Sequence, residues 1–431
     1  MSATDSFPAY SELSSTMDPD GEALQCHPDD TAELDRLDDT VRELSSLQQI
    51  GPVVKGVGTA FGRFVLPSIM VSPAHDSKSS FAATTWEAGR VVYMNPEVFS
   101  SSVFGETTGQ FWGPGIFMMD PPEHTKFRSH MQLGFVPKLV ASWDEKIIRP
   151  CLARRFANLK QKGRADLVRE LTPYFPYDIV GAVVGFDPSD IVYVAQCFKK
   201  IQQFNLDPMG AFEAGQGMKA YSLRLIEERR RAPKDDLVSA MTQAEVNGEP
   251  IPIENFVAMI THLMQGGIDT VYKMSSNIVQ LLLAHPVEFE KLKADRGLIP
   301  AAIEEALRYE GVASMMPRIA TRDSELLGVP IPKGSIVYVL HAVINRDPSR
   351  WLDPHVFNIT RQRPMAHMAF GNGAHTCIGM HLARLEIARF LERMLDDLPN
   401  LRWDPSVPTP KITGWTIRGV LSLPVRWDVA A

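Results

Sequence analysis

The chain has 431 residues, 45% hydrophobic and 22% charged, values that permit a sizeable core and exclude wholesale disorder. The formal net charge is −7, from 44 Lys and Arg against 51 Asp and Glu, which argues against a protein whose main work is binding nucleic-acid phosphates. No uninterrupted apolar run of about 18 residues offers a membrane span and no secretory signal opens the chain. Four cysteines (Cys26, Cys151, Cys197 and Cys377) are too few for a disulfide framework, so a cytoplasmic location is expected.

Residues 1–45 are polar and strongly acidic, with Asp18, Asp20, Glu22, Asp29, Asp30, Glu33, Asp35, Asp38 and Asp39 against Arg36 and Arg42. They are expected to form a loosely ordered segment that leads into a short helix. The run Gly89-Arg-Val-Val-Tyr-Met94 predicts a strand. Asp120-Pro-Pro-Glu123 predicts a helix start, with an aspartate cap, proline in the first turn and a carboxylate near the positive end of the dipole. Helices are predicted over Asp190 to Phe204 and Phe212 to Arg231, joined by a loop from Asn205 to Gly210. A longer helix from Pro252 to Ala284, closed by His285-Pro286, would run about 50 Å at 1.5 Å per residue. Gly328 to Gly334 predicts a turn before a strand over Ser335 to Leu340, and Val420 to Val425 a final strand. The expected fold class is mostly α with a small β region.

Three segments carry chemistry. In Phe370-Gly371-Asn-Gly373-Ala-His375-Thr-Cys377-Ile-Gly379, glycines permit a tight backbone excursion with positive φ, and the cysteine falls at the start of a helix. Unpaired amides and the helix dipole favour a thiolate there, and a thiolate facing a flat cavity makes an axial ligand for haem iron. Two other readings of this cysteine stay open: a small buried hydrophobe, or a nucleophile with His375 as its base. Zinc is disfavoured, because no second Cys/His pair lies at ligand spacing. In the long helix, Gly266-Gly267-Ile268-Asp269-Thr270 places two glycines that each cost about 1 kcal/mol relative to alanine. Either they let a flat cofactor approach the backbone or they pack helix on helix, and the Thr270 hydroxyl is expected to bond the Gly266 carbonyl. Glu305 and Arg308 lie three residues apart on one helical face.

The string Phe370-Gly371-x-Gly373-x-His375-x-Cys377-x-Gly379 resembles the haem-binding signature of the cytochrome P450 superfamily, and the resemblance covers about residues 48–427. It implies the P450 fold in one haem domain over residues 46–431, with the long helix crossing the haem. It implies a haem-thiolate monooxygenase that takes O2, with haem b as cofactor and Cys377 as the metal ligand. By the same resemblance Phe370, Gly371, Gly379, Gly266 and Gly267 lie against the cofactor, and His124, Arg128, Arg318 and His375 clamp its propionates. Thr270 would hydrogen-bond dioxygen, and Asp269 would bring in protons for O–O cleavage. Glu305, Arg308 and Arg361 would form a buried structural network.

Gly266 to Val271, the tail Gly419 to Trp427, and Met119-Asp-Pro-Pro-Glu123 followed by Phe127-Arg128 look most like the bacterial camphor-hydroxylase group. That likeness implies a compact apolar substrate, a monoterpenoid or related terpenoid, with electrons from a [2Fe-2S] ferredoxin and its reductase. Trp112 stands where that group has a tyrosine, and Met316 where it has an aspartate, so the ligand need not be camphor. The expected pocket is lined by Trp112, Phe117, His262, Gln265, Ser314 and Met315, with His262 and Gln265 as a polar wall. Lys126, Arg128, Arg363 and Arg384 are the expected docking cations for an acidic ferredoxin. A monomer that binds neither nucleic acid nor membrane is expected. The alternatives are another apolar substrate (steroid, fatty acid or aromatic), a peroxide-driven peroxygenase, and a non-enzymatic haem sensor.

Overall fold

Helical periodicity dominates the chain because most of its apolar residues recur every three or four positions. In the computed structural model, residues 40–56, 80–106, 108–203, 207–246, 248–362, 366–414 and 416–429 are described. The acidic stretch up to residue 39 and Arg363 lie outside the described residues. The helices that build the site are, in chain order, α1 (Thr40–Ser46), α2 (Trp86–Met94), α3 (Glu123–Leu133), α4 (Arg149–Leu159), α5 (Tyr174–Val184), α6 (Ile191–Gln202), α7 (Pro208–Arg231), α8 (Ile253–Ala284), α9 (Ile299–Glu310) and α10 (Met380–Asp397).

Helix α8 is the axis of the molecule, with 32 residues and contacts to α5, α7, α9 and α10. Pro252 precedes its first turn in an extended conformation. At the other end the His285 amide returns to Leu281 O (3.0 Å), and Pro286, lacking an N–H, starts a separate helix. Met259, Ile260, Met264, Ile268, Ile278, Val279 and Leu282 are all buried, so its apolar side chains are core on several faces.

Besides a short hairpin pairing Glu245–Val246 with Glu249–Pro250, the strands are β1 (Val53–Lys55), β2 (Ser80–Ala83), β3 (Phe99–Ser100), β4 (Arg164–Asp166), β5 (Met316–Ala320), β6 (Ser324–Leu326), β7 (Val329–Ile331), β8 (Ile336–Val339), β9 (Arg402–Trp403) and β10 (Pro424–Arg426). One sheet has the order β1-β2-β8-β5-β3, with β8 parallel to β2 (Ile336 opposite Ser80) and antiparallel to β5 (Ile336 opposite Ile319). A second has the order β9-β10-β4. The mostly α architecture with a small β region is the one expected.

Several local expectations are corrected. Gly89 to Met94 is helical, as part of α2: Thr85 caps its N-terminus, accepting from the Ala88 amide (3.4 Å), and the buried set Ala88, Gly89, Val92 and Tyr93 has helical spacing. Tertiary burial on one helical face outweighs the strand preference of Val-Val-Tyr. Asp120 does not cap α3, which starts at Glu123; its carboxylate accepts from the Ser101 amide (2.9 Å) and the Ser100 hydroxyl. Helix α7 begins at Pro208, inside the expected loop, because Asp207 caps the Gly210 amide (2.9 Å). Val329–Ile331 is a strand between two turns, Leu327-Gly328 and Lys333-Gly334, the second leading into β8 as expected. The last strand begins only at Pro424.

Beneath the cysteine loop, α10 buries Phe390 at 0% exposure, stacked on Phe175 (ring centroids 5.4 Å) and tilted against Phe156 (5.8 Å). Truncation there removes a ring from a dry aromatic cluster. Phe390→Ala is therefore expected to cost about 3–5 kcal/mol, read as an earlier midpoint in urea unfolding.

Candidate active site

The cysteine loop is shaped by its own hydrogen bonds. The Gly371 amide donates to Met368 O (2.9 Å), the Thr376 amide to Gly373 O (3.1 Å), and the Cys377 amide to Phe370 O (2.8 Å). Gly371 and Gly373 have φ of 70° and 68°, and a Cβ on Gly373 would collide with the Tyr93 carbonyl, so glycine is required at that position. Cys377 is accessible, unlike the buried Cys151 and Cys197, yet lies deep within the protein, so its sulfur opens onto internal space. Burial pushes its thiol up, opposed by the Gly379 amide and by the charges of Arg128 and Arg384.

Four cationic or imidazole side chains converge near this loop. Arg128 donates to Thr376 O, and His375 Nε2 lies 3.1 Å from Ser101 Oγ. The His124 and His375 rings lie 4.2 Å apart, and both nitrogens of the buried His124 lack a partner. Arg318 is 5% exposed, donates to Pro317 O (2.7 Å) and lies over the Tyr93 and Phe104 rings (5.0 and 6.0 Å). No carboxylate among the described residues forms an ion pair with Arg128 or Arg318. Burial and neighbouring cations lower His124 to about 4 and His375 to about 2. A neutral imidazole still offers one N–H to an anion. The buried Arg318, the half-buried Arg128 and the open His124 suit a group carrying carboxylates, as the propionates of haem do, beside a His375 ring already held by Ser101 and the Met119 backbone.

On α8 the Thr270 hydroxyl donates to Gly266 O (2.7 Å). Gly266 is exposed in mid-helix, and nothing lies within 4 Å of where its Cβ would stand. Gly267, expected against the cofactor, instead faces α5: its Cβ would lie 3.0 Å from Val180 Cγ2, so its role is close helix packing. Asp269, 8% exposed, is bound by Lys273 (1% exposed), whose ammonium also lies 5.5 Å from the Tyr272 ring centroid. Lys273 is a site residue that the motif-based reading passed over, although the four-residue Asp–Lys spacing on one helical face was there to be seen.

The remaining expected residues divide. Trp112, Phe117 and His262 come together, with ring centroids 4.8 Å (Trp112–His262) and 6.1 Å (Phe117–His262) apart. Gln265 follows one turn after His262. Phe117 also packs on Phe104 (4.1 Å), which links this wall to Arg318. Met315 instead packs against the cluster of Leu44, Leu47 and Leu340. Ser314 is 1% exposed and bonds Thr416 O through both its amide (3.0 Å) and its hydroxyl (3.4 Å). Phe370 carries the Arg384 guanidinium over its ring (4.6 Å), and Arg384 makes a bidentate pair with Glu304 (2.6 and 2.9 Å). Arg384 is therefore a neutralised charge, not a free docking cation.

Glu305, Arg308 and Arg361 form one network. Arg308 holds Glu305 by two bonds of 2.8 Å and also donates to Asn345 O (3.0 Å) and Pro354 O (2.9 Å). Arg361 reaches Glu305 at 3.1 Å and Val356 O at 2.7 Å, and the Asn358 amide donates to Glu305 (2.9 Å). Burial would raise Glu305, but these donors hold its carboxyl below the ordinary value. The Asn345 side chain then accepts from the Met368 amide (2.7 Å), which connects the network to the cysteine loop.

Comparisons with known proteins identify the family. A family model described as Cytochrome P450 matches residues 195–429. Vitamin D3 dihydroxylase of Streptomyces griseolus is 30% identical over 365 residues, covering 82% of this chain and 89% of that protein. Steroid C26-monooxygenase of Mycolicibacterium smegmatis is 31% identical over 362 residues, covering 83% of this chain and 90% of that protein. The structure of CYP109E1 from Bacillus megaterium in complex with testosterone aligns with a TM-score of 0.78 at 25% identity, covering 91% of this chain and 100% of that one. Among the described residues, no helix is long and apolar enough to cross a membrane.

Removing one member of the Glu305 network leaves buried charge unpaired. Arg308→Met is expected to lower stability by about 3–5 kcal/mol. In chemical denaturation the double variant with Glu305→Gln should cost less than the sum of the single variants.

Proposed function

The chain belongs to the cytochrome P450 superfamily, and on that premise we propose that it hydroxylates a compact apolar molecule, a monoterpenoid or related terpenoid, with electrons from a [2Fe-2S] ferredoxin. Members of the family are monooxygenases that bind haem b through a cysteine thiolate. When bound, that group supplies the centre at which dioxygen is reduced and one of its atoms passes to a C–H bond. We assign residues 46–431 to the haem domain.

The chain's residues fit these tasks. Cys377 would hold the iron, with the Gly379 amide and Arg128 favouring its anion. Arg128, Arg318, His124 and His375 would receive the propionates. Gly266 leaves room beside α8, and Thr270, anchored on the Gly266 carbonyl, keeps its hydroxyl oxygen free to accept a further hydrogen bond. Asp269 is the residue of the same helix that would relay protons, and Lys273 holds its carboxylate. The observation that carries the compact-substrate reading is the aromatic wall of Trp112 and Phe117 against His262, one turn of α8 from Gly266. A steroid is the second reading, favoured by the relatives named for vitamin D3 and steroid oxidation and by the testosterone complex.

Titration of the haem-loaded protein with terpenoids and with steroids tests the choice through the Soret shift that accompanies displacement of water from iron. A shift with monoterpenoids is expected, and a shift with steroids alone favours the second reading. Thr270→Ala should keep that shift while product formed per electron pair falls about tenfold or more, with peroxide released instead. Unchanged coupling would remove Thr270 from proton handling.

Lys126 is exposed on α3, next to the loop-bound Arg128, and is the described cation left for an acidic ferredoxin. Lys126→Glu should slow ferredoxin-driven reduction several-fold, with a weaker dependence on salt and unaltered substrate binding.

A further inference from the structure

Helix α8 presents His262, Gly266 and Thr270 at intervals of four residues, so the three share one face. His262 stands two turns from Thr270, about 12 Å along the axis. Its ring occupies the place where a Cβ on Gly115 would be, so the glycine makes room for the imidazole. His262 Nδ1 lies 2.8 Å from Ala258 O. A carbonyl only accepts, so Nδ1 carries the hydrogen and Nε2 presents a bare lone pair. Burial lowers His262 to about 4, which keeps the ring neutral and Nε2 an acceptor.

Three polar atoms in this corner are buried and without partners: His262 Nε2, Gln265 Oε1 and Trp112 Nε1. Trp112 is 7% exposed, and its ring meets His262 edge to face at 4.8 Å. The corner therefore holds one obligate donor, the indole N–H, beside two acceptors. Buried polar atoms in native proteins are rarely left unsatisfied, so an unmatched set calls for water or a ligand to supply the complement. A ketone or ether oxygen could take the Trp112 hydrogen but would leave both acceptors bare. A hydrocarbon satisfies none of the three. A hydroxyl accepts from Trp112 and at the same time donates to His262, the acceptor whose ring the indole packs against.

We propose that this corner is a hydroxyl-recognition subsite, so that the substrate is an apolar alcohol, a molecule already bearing oxygen, in preference to a ketone, an ether or a hydrocarbon. The proposal rests on reading the space beside Gly266 as the substrate pocket of a monooxygenase. It places the enzyme after a reaction that has installed or unmasked a hydroxyl, such as a hydroxylation, a carbonyl reduction or the hydration of an alkene. The anchored oxygen is held two helical turns from Thr270, so the second oxidation falls on a carbon remote from the hydroxyl.

The test uses the haem-loaded protein and two matched series on rigid skeletons: borneol, camphor and bornane, and androstan-3-ol, androstan-3-one and androstane. Affinity is read by calorimetry as well as by the Soret shift. In at least one series the alcohol should bind about tenfold more tightly than its ketone. His262→Phe should shrink that advantage to about twofold or less while ketone affinity is retained, since the ketone needs Trp112 alone; Trp112→Phe should weaken alcohol and ketone together. Retained ketone binding also shows that the variant is folded. No alcohol binding more tightly than its ketone in either series, or an advantage that survives His262→Phe, overturns the proposal. A carbon monoxide complex of the reduced protein with thiolate character, found together with that result, leaves the monooxygenase reading standing. A spectrum of imidazole ligation overturns that reading and the proposal with it.

Discussion

A guanidinium cannot give up its proton inside a protein, and Arg318, at 5% exposure, has no carboxylate among the described residues to pair with. Arg128 is in the same position, and the buried His124 presents two open ring nitrogens. Burying the Arg318 charge with Asp120 near it but in no ion pair with it would cost several kcal/mol. The haem of this family brings two carboxylates, which makes the cofactor part of the folded state as well as part of the chemistry. The rest of the site is arranged around that requirement.

The cysteine is held from the opposite direction. A continuous path runs from Glu305 through Arg308 to the Asn345 carbonyl, from the Asn345 side chain to the Met368 amide, and from Phe370 O to the Cys377 amide. Each joint in this path is a hydrogen bond to backbone or a bidentate ion pair, the geometry with least rotational freedom. The sulfur can therefore be presented to internal space without the mobility that such exposure gives an ordinary loop. The loop does not collapse over the space, because two of its glycines sit at positive φ and Gly373 lies directly against Tyr93 O.

Helix α8 serves three functions on different parts of its surface. Gly267 lets α5 pack close, Asp269 is bound to Lys273, and on the face of His262, Gly266 and Thr270 the space beside Gly266 is left open. The order of these residues means that the polar wall and the proton-handling pair cannot shift relative to each other without breaking the helix. Under the proposed roles, substrate orientation and proton delivery would be linked through one rigid element. The Arg318–Phe104–Phe117–His262 chain of ring contacts joins this wall to the cations about the cofactor space.

The cysteine loop, the Thr270–Gly266 bond and the Glu305–Arg308 pair were legible in the sequence because each depends on residues within a few positions of one another. Glycine at positive φ, a hydroxyl four residues from its acceptor and a three-residue ion pair are local events, set by covalent spacing and backbone sterics. Packing decided the remainder. Gly89 to Met94 became helix because one face found a core, and Gly267 became a packing residue because Val180 lay opposite. Met315 went to another cluster, and Arg384 found Glu304 across from it. The polar corner belongs to the same class: that His262 bonds Ala258 is local, but that Trp112 meets it and leaves one donor facing two acceptors depends on segments far apart in the chain. Sequence alone therefore determined which chemistry the protein can carry, since that chemistry resides in short motifs. The tertiary structure decided which polar atoms remain unmatched, because a hydrogen bond is satisfied or left open only when distant elements come into contact.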